Sequence, residues 1–539
     1  MSNEDYKYVW EERRKTYRVV TDKPTYSPET KKTTHHYVTV GKAKEKGGPI
    51  EFGPKHRAVE AARKGRGTPH PKTVTPSGER IVLEHAASAT GLSKTLEEAF
   101  GKETAGQVLA LACYFICTGD ALSSASAWLE ERGLPVLTAP RVSELLASLT
   151  EEKCAKFLRP WIKAKAEGKT LCYDITSIST YAGDIDLAEF GYNRDHEKWL
   201  KQVNLAMLTD KASHIPLAFR VVAGSLSDVK TLRDTVRDLR MYGAAPFGFV
   251  MDRGFWSSER LDMLTENRIR YMVPVPSSVA WARKLIAAHV ADVFLAPPHE
   301  DADGGKTYGF TVHDPTGAGR HVWAHIFYSP SMETERKTRF VERYTTLRKE
   351  LESGDVPEEH RAACDEYFTV STVGRGGKRH VKEKRPLPEL LAEANFGYWV
   401  LYTDMEKDAM AALADYRDRG YIESGFDDLK GATDARRLRV HSGKAVYGRL
   451  FLQFVAQILR AELRQELASF PAEAKKYAYS VGSLLSRVRS YSLVAYSGRY
   501  KPQYCTLTKG QKLIFKALGI AVADDEPDEE IATEALVSK

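Results

Sequence analysis

The chain has 539 residues, too many for one hydrophobic core, so several structural units are expected. It is 42% hydrophobic and 10% aromatic and carries a formal net charge of +7. No run of about 18 apolar residues occurs, and the opening MSNEDYKYVWEERRKTY has no apolar stretch, so neither a transmembrane helix nor a signal peptide is expected. None of the six cysteines forms a CxxC pair, which argues against a disulfide framework or a cysteine zinc site and for a cytoplasmic protein.

The charge is unevenly spread. Residues 1–80 hold 18 Lys and Arg against 10 Asp and Glu. A basic arm of this kind suits an anionic partner, nucleic acid before membrane, or is a solvated surface. Residues 1–85 mix β-like stretches (Tyr17–Val20, His36–Val40) with Pro, Gly and Lys, and form a basic N-terminal region. Residues 86–166 read as helical: TAGQVLALACYFICTGDALSSASAWLEE has apolar groups at helical spacing, and TAPRVSELLASL sets Pro140 near a helix start. Cys113 and Cys117, four apart, fall within this apolar pattern and are read as packing residues.

From residue 171 the pattern turns to strands. LCYDITSIS, QVNLAMLTD and IPLAFRVVAG follow one another, then a polar helix (DVKTLRDTVRDLR), the strand PFGFVMD, a helix (SSERLDMLTEN) and the strand RYMVPVP. Three adjacent strands followed by alternating helix and strand predict an α/β fold with a mixed sheet and helices on its faces, over 167–278. Residues 279–396 interrupt that rhythm with YGFTVHD, RHVWAHIFYSP, a charged helix near Glu333–Ser353 and EYFTVSTV, and are read as a β-rich insertion. The alternation resumes over 397–470 with FGYWVLYTD and further helices. Residues 471–539 form a basic, aromatic segment and an acidic tail, DDEPDEE.

Read as one helix, residues 411–430 place Tyr416, Arg419, Glu423 and Lys430 within an arc of about 60°, beside an apolar stripe of Ile422, Phe426 and Leu429. The charged arc is either a solvated face with i,i+4 pairs or a working surface. Gly420 and Gly425 are costly in a helix and suggest close approach by another backbone. Asp174 in LCYDITS and Asp252 at the end of PFGFVMD are carboxylates in or at the end of buried-type strands. Such groups need a cap, a partner or a metal. Two such aspartates and a helix glutamate have the oxygen chemistry that suits Mg²⁺ and two-metal phosphoryl transfer.

These residues resemble the DDE transposases of bacterial insertion sequences, in the branch with a Y-x2-R-x3-E-x6-K signature. Tyr416, Arg419, Glu423 and Lys430 match that spacing, with Asp174 in YDITS and Asp252 in a DRGF box. SDVKTL (227–232) and GYNRD (191–195) are similar to family segments, whereas GFDDLK departs from the basic residue commoner there. The resemblance spans about 171–460. It implies an RNase H-like catalytic core with a β-rich insertion, preceded by a basic arm and a helical DNA-binding region. It further implies catalysis by Asp174, Asp252 and Glu423 on two Mg²⁺ or Mn²⁺ ions, with Tyr416, Arg419 and Lys430 on DNA phosphates. The implied activity is cleavage of element ends and strand transfer into target DNA. The implied partners are double-stranded terminal inverted repeats and target DNA, with a homodimer on DNA, in the cytoplasm at the bacterial nucleoid and away from membranes. The rival readings are an RNase H-fold nuclease without strand transfer and a domesticated DNA-binding protein.

Weaker signals lie in the insertion. His313, His321 and His325 suggest zinc, but no cysteine or acid completes a set. Trp281 and Trp323 are each a core residue or, as in related enzymes, a platform for a flipped base. GRGGKRHVKEKR (374–385) is either a DNA-backbone contact or a solvated loop. Arg419 and Lys430, on the same arc as Glu423, are expected to act on phosphates, so that their removal slows the DNA steps at little cost in stability.

Overall fold

The structure, a computed structural model, describes residues 6–522 apart from 28–31, 55, 58–70, 167, 194–196, 198, 226–227, 244–246, 301–303, 318, 374–377, 432–436, 441 and 498–499. The side chains of Glu423 and Leu429 and the acidic tail also lie outside the described residues, as does part of the 374–385 run. The chain divides into two compact units: residues 1–75 with Ser492–Cys505, and Pro76–Tyr491 with the residues from Thr506 onward.

The first unit contains an antiparallel four-stranded sheet in chain order, Lys7–Glu11, Thr16–Ser27, Lys32–Ala43 and Glu51–Phe52. Both β-like stretches anticipated near Tyr17 and His36 fall within it. Val19, Val40 and Ala43 form its buried cluster, with Tyr8 and Tyr17 packed against them, and the pairing of the two long strands shifts register between Val19 and Val20. A second sheet joins Pro71–Pro76 to Ser492–Tyr496 and Gln503–Tyr504.

The second unit is built on a nine-stranded mixed sheet. Its strands, numbered along the chain, are β1 (Thr170–Thr180), β2 (Lys201–Asp210), β3 (Pro216–Ala223), β4 (Gly248–Met251), β5 (Arg270–Val275), β6 (His299–Glu300), β7 (Lys306–His313), β8 (Trp323–Tyr328) and β9 (Tyr398–Thr403). Their order is β6-β7-β8-β9-β5-β4-β1-β2-β3. The first three are antiparallel neighbours, β4 runs parallel to β1, and β5 runs parallel to β4. This five-strand arrangement is RNase H-like. β1 and β4 are buried almost throughout, as strands covered on both faces must be.

Helices cover the sheet. The 27-residue helix Gly443–Ser469 is buried along most of its length and packs against helices Lys102–Thr118 and Ala139–Ser148. Gly448 lets it approach the latter, since a Cβ there would stand 2.1 Å from the Leu146 carbonyl oxygen. Helix Glu151–Lys165 begins at Thr150, whose side chain accepts from the Lys153 N–H, and docks on β3 through Trp161, whose indole N–H donates to Pro216 O at 3.1 Å. Helix Gly78–Ala89 runs across residue 85, burying Val82, Leu83 and Ala86. Among the described residues no single helix is long and apolar enough to cross a membrane.

Residues 279–396 leave the core after β5 and return at β9. β7 and β8 extend the central sheet through β9. The helices Pro330–Ser353 and Glu358–Tyr367 and the hairpin of Phe368–Val373 with Lys378–Glu383 enclose a small core of Tyr344, Leu347, Leu351, Cys364 and Phe368. His325, wholly buried on β8, is engaged at both ring nitrogens, with Thr311 Oγ1 and Glu406 O each at 2.9 Å. Burial also lowers its pKa. It is a packed core histidine, and among the described residues His, Cys, Asp and Glu form no metal-holding group of three.

Candidate active site

Strand register brings the first two acids together. β1 and β4 pair in parallel with Tyr173 opposite Met251, so Asp174 and Asp252 are the next residues on adjacent strands. Asp174 is 8% exposed, and its Oδ1 accepts from the Ile175 N–H at 2.8 Å. Asp252 lies where β4 gives way to the short helical turn Arg253–Phe255, and its side chain is 45% exposed. One carboxylate is thus fixed within a strand and the other sits at the end of the adjacent strand, partly open to solvent.

The third element differs from the single helix anticipated over 411–430. It is two helices, Ala409–Arg417 and Gly420–Gly431, separated at Asp418 and Arg419. Across the break the hydrogen bonds tighten to the i→i+3 pattern: Arg419 N to Tyr416 O at 3.1 Å, Tyr421 N to Asp418 O at 3.2 Å and Ile422 N to Arg419 O at 2.9 Å. Tighter winding turns each residue further about the axis than 100°. Arg419, at the break, points inward. Its Nη1 lies 3.5 Å from Asp174 Oδ2 and its Nη2 3.7 Å from Asp252 Oδ1, with a side chain 9% exposed. Its guanidinium also lies 5.5 Å from the centre of the Tyr416 ring. Arg419 is expected from the sequence to be removable at little cost in stability; its burial between two carboxylates argues for a larger loss.

Glu423 and Lys430 belong to the second helix, Glu423 one turn beyond Arg419 and Lys430 half-buried in the last turn. The Glu423 side chain lies outside the described residues. The helix packs on β1 and on Gly443–Ser469. Ile422 and Phe426 are buried as the apolar stripe required. Among the described residues, a Cβ on Gly420 or Gly425 would meet nothing within 4 Å, so the close backbone approach expected at these glycines is not what calls for them. Phe426→Ala is expected to destabilise the protein by about 3–5 kcal/mol, because a 6% exposed ring would leave a cavity. Chemical denaturation followed by fluorescence measures this; a loss below about 1 kcal/mol would mean that the helix does not depend on that contact.

No local pattern pointed to what secures the break. The β2–β3 turn reaches across to it: Lys211 pairs with Asp415 and, at 4.0 Å, with Asp418, while the His214 ring stacks on Tyr421 with centroids 3.6 Å apart. Burial lowers the His214 pKa and so favours the neutral form of the stacked ring.

Beside the acids opens a cleft of about 740 Å³, lined in part by Asp252, Arg253, Arg336, Phe396, Trp399 and Tyr416. Arg336 donates to the carbonyls of Phe396 at 3.2 Å and Tyr398 at 3.4 Å; burial, and Arg253 beside it, lower its pKa. Neither Trp281 nor Trp323 lines this cleft: Trp281 packs on Trp256 and Tyr402, and Trp323 on His313 and His321. Trp399, stacked on Phe327 at 5.2 Å, is the tryptophan that does.

No curated protein matches the sequence at a significant level. Among solved structures, a piggyBac transposase synaptic complex with hairpin DNA is similar at 8% identity over 87% of each chain, with a TM-score of 0.37. Residues 165–459, more than half of the chain, match the family model of the transposase DDE domain, whose members are DNA-cleaving and strand-transferring enzymes that use divalent metal ions, and the chain belongs to that family.

Proposed function

We propose that Asp174, Asp252 and Glu423 are the catalytic carboxylates, holding two Mg²⁺ or Mn²⁺ ions for cleavage at the ends of an insertion-sequence element and transfer of those ends into target DNA. The observation that carries this reading is the β1–β4 register, which sets Asp174 and Asp252 side by side with the Arg419 guanidinium against both. Two carboxylates beside one cation are a hard-oxygen donor set, and the helix bearing Glu423 packs on the strand bearing Asp174. When bound, such ions make an attacking hydroxyl more acidic and stabilise the leaving oxygen.

The chain's own groups serve the DNA. Arg253 and Arg336 give the cleft a cationic wall next to Asp252, suited to a phosphodiester strand, and Trp399 and Phe396 offer apolar faces there. Tyr416, Arg419 and Lys430 contact phosphates flanking the scissile bond, Arg419 through its fork once metal ions replace it on Asp174 and Asp252, and Lys430 as a point charge. The substrates are double-stranded terminal inverted repeats and target DNA, bound by a homodimer at the nucleoid of a bacterium.

The test is cleavage and joining in vitro, using the purified protein, a plasmid carrying both element ends and a second target plasmid. With Mg²⁺, breaks confined to the element ends and joined products are expected, and EDTA should abolish both. Breaks without joining would leave a nuclease, and full activity in EDTA would remove the metal site from the reading.

A further inference from the structure

We propose that a recess among the C-terminal helices is a second docking site for the duplex DNA backbone, separate from the carboxylate site. Residues 471–522 hold nine Lys and Arg against one acid, Glu473. That surplus of eight exceeds the net charge of the whole chain, +7. Such a concentration of one sign creates a field that draws polyanions.

The fold leaves several of these cations exposed. Helices Val481–Val488 and Lys509–Ala517 pack on each other and bury Leu484, Leu485, Val488, Ile514 and Phe515. Their amphipathic spacing leaves Arg487, Lys509 and Lys516 exposed, with Lys476 on the preceding turn. Arg489 is different, since its guanidinium is committed to the buried Glu79 at 2.8 Å. Among the described residues no carboxylate pairs with Lys476, Arg487, Lys509 or Lys516.

Between the helices lies a recess of about 520 Å³ whose rim includes Lys476, Tyr479, Ser483, Arg487 and Thr508, with no acid in its lining. Its floor is fixed by Gln511, 2% exposed, which donates to Arg487 O at 3.1 Å and Ser490 Oγ at 2.9 Å and accepts from the Thr508 N–H at 2.9 Å. Two cations among tyrosine, serine and threonine hydroxyls are the donor set that proteins present to phosphate oxygens rather than to base edges. The occupant is therefore a DNA backbone held without regard to sequence. This inference rests on the cationic recess alone and not on the assignment of the carboxylates.

The test is fluorescence anisotropy of the full chain with a labelled 30-base-pair duplex of arbitrary sequence, in EDTA so that cleavage does not enter, over a salt series. The variant Lys476→Glu with Arg487→Glu is expected to bind about tenfold more weakly and to flatten the slope of log K against log salt by about two. Lys476→Arg with Arg487→Lys should bind as wild type does. A control reversing two exposed lysines of helix Pro330–Ser353, Lys337→Glu with Lys349→Glu, should change binding far less. An unchanged slope in the recess variant, with its melting curve intact, would overturn the proposal; so would an equal loss in the control, which would assign the effect to overall charge.

Discussion

Replacing Asp174, Asp252 or Glu423 with alanine is expected to lower DNA cleavage by at least about 10³-fold while leaving DNA binding within about threefold of wild type. Carboxylates that hold metal ions during phosphoryl transfer each support several kcal/mol of charge stabilisation in the transition state, and each factor of ten in rate is about 1.4 kcal/mol. DNA would be held by cations and not by these carboxylates: Asp174 is 8% exposed in the sheet, and Asp252 shares its cleft with Arg253, Arg283 and Arg336. The three variants need not fold equally well. Asp174→Ala leaves Arg419 without one of its two aspartates and also removes the acceptor for the Ile175 N–H, so Asp174→Asn should accompany it. Cleavage of end-bearing DNA and anisotropy on the same preparations decide the matter. A variant that cleaves within tenfold of wild type does not carry a catalytic carboxylate.

Arg419→Ala should lower the stability of the metal-free protein by about 2–3 kcal/mol and increase the stabilisation that Mg²⁺ or Mn²⁺ confers. The guanidinium lies 3.5 Å from Asp174 and 3.7 Å from Asp252, with only 9% of its side chain exposed. Without it two neighbouring carboxylates face each other, and one of them is buried. The magnitude stays below the upper range for a buried pair because the Asp252 side chain is 45% exposed and water screens it. A divalent cation would relieve the same repulsion, so the rise in apparent melting midpoint on adding Mn²⁺ should be larger in Arg419→Ala than in wild type. Arg419→Lys should restore part of the metal-free stability. Equal metal-induced shifts in the two proteins would mean that Arg419 and the ion do not share the carboxylates, and an unchanged metal-free midpoint would mean that the ion pairs contribute nothing to the fold.

Much of this protein was settled by local pattern. A carboxylate within the apolar run LCYDITS, another ending PFGFVMD, and the spacing from Tyr416 through Arg419 and Glu423 to Lys430 identify the family, and the match over 165–459 agrees. The strand and helix order was legible because β periodicity near 2 and helical periodicity near 3.6 are properties of short windows. The burial of Ile422 and Phe426 followed from the same periodicity. What the pattern could not settle depends on groups far apart in the chain. The β1–β4 register that pairs Asp174 with Asp252, the 245-residue span from Arg419 to Asp174, and the hold of Lys211 and His214 on the helix break all arise from sheet pairing and ion pairing between distant segments. The break shows the limit most directly. A helical wheel assumes a constant 100° per residue, and a tightened turn at Asp418 and Arg419 breaks that assumption where Arg419 meets the acids. Trp399 entered the cleft for a related reason: its position on β9 next to β8, not its own neighbours in sequence, sets it beside Arg336 and Tyr416.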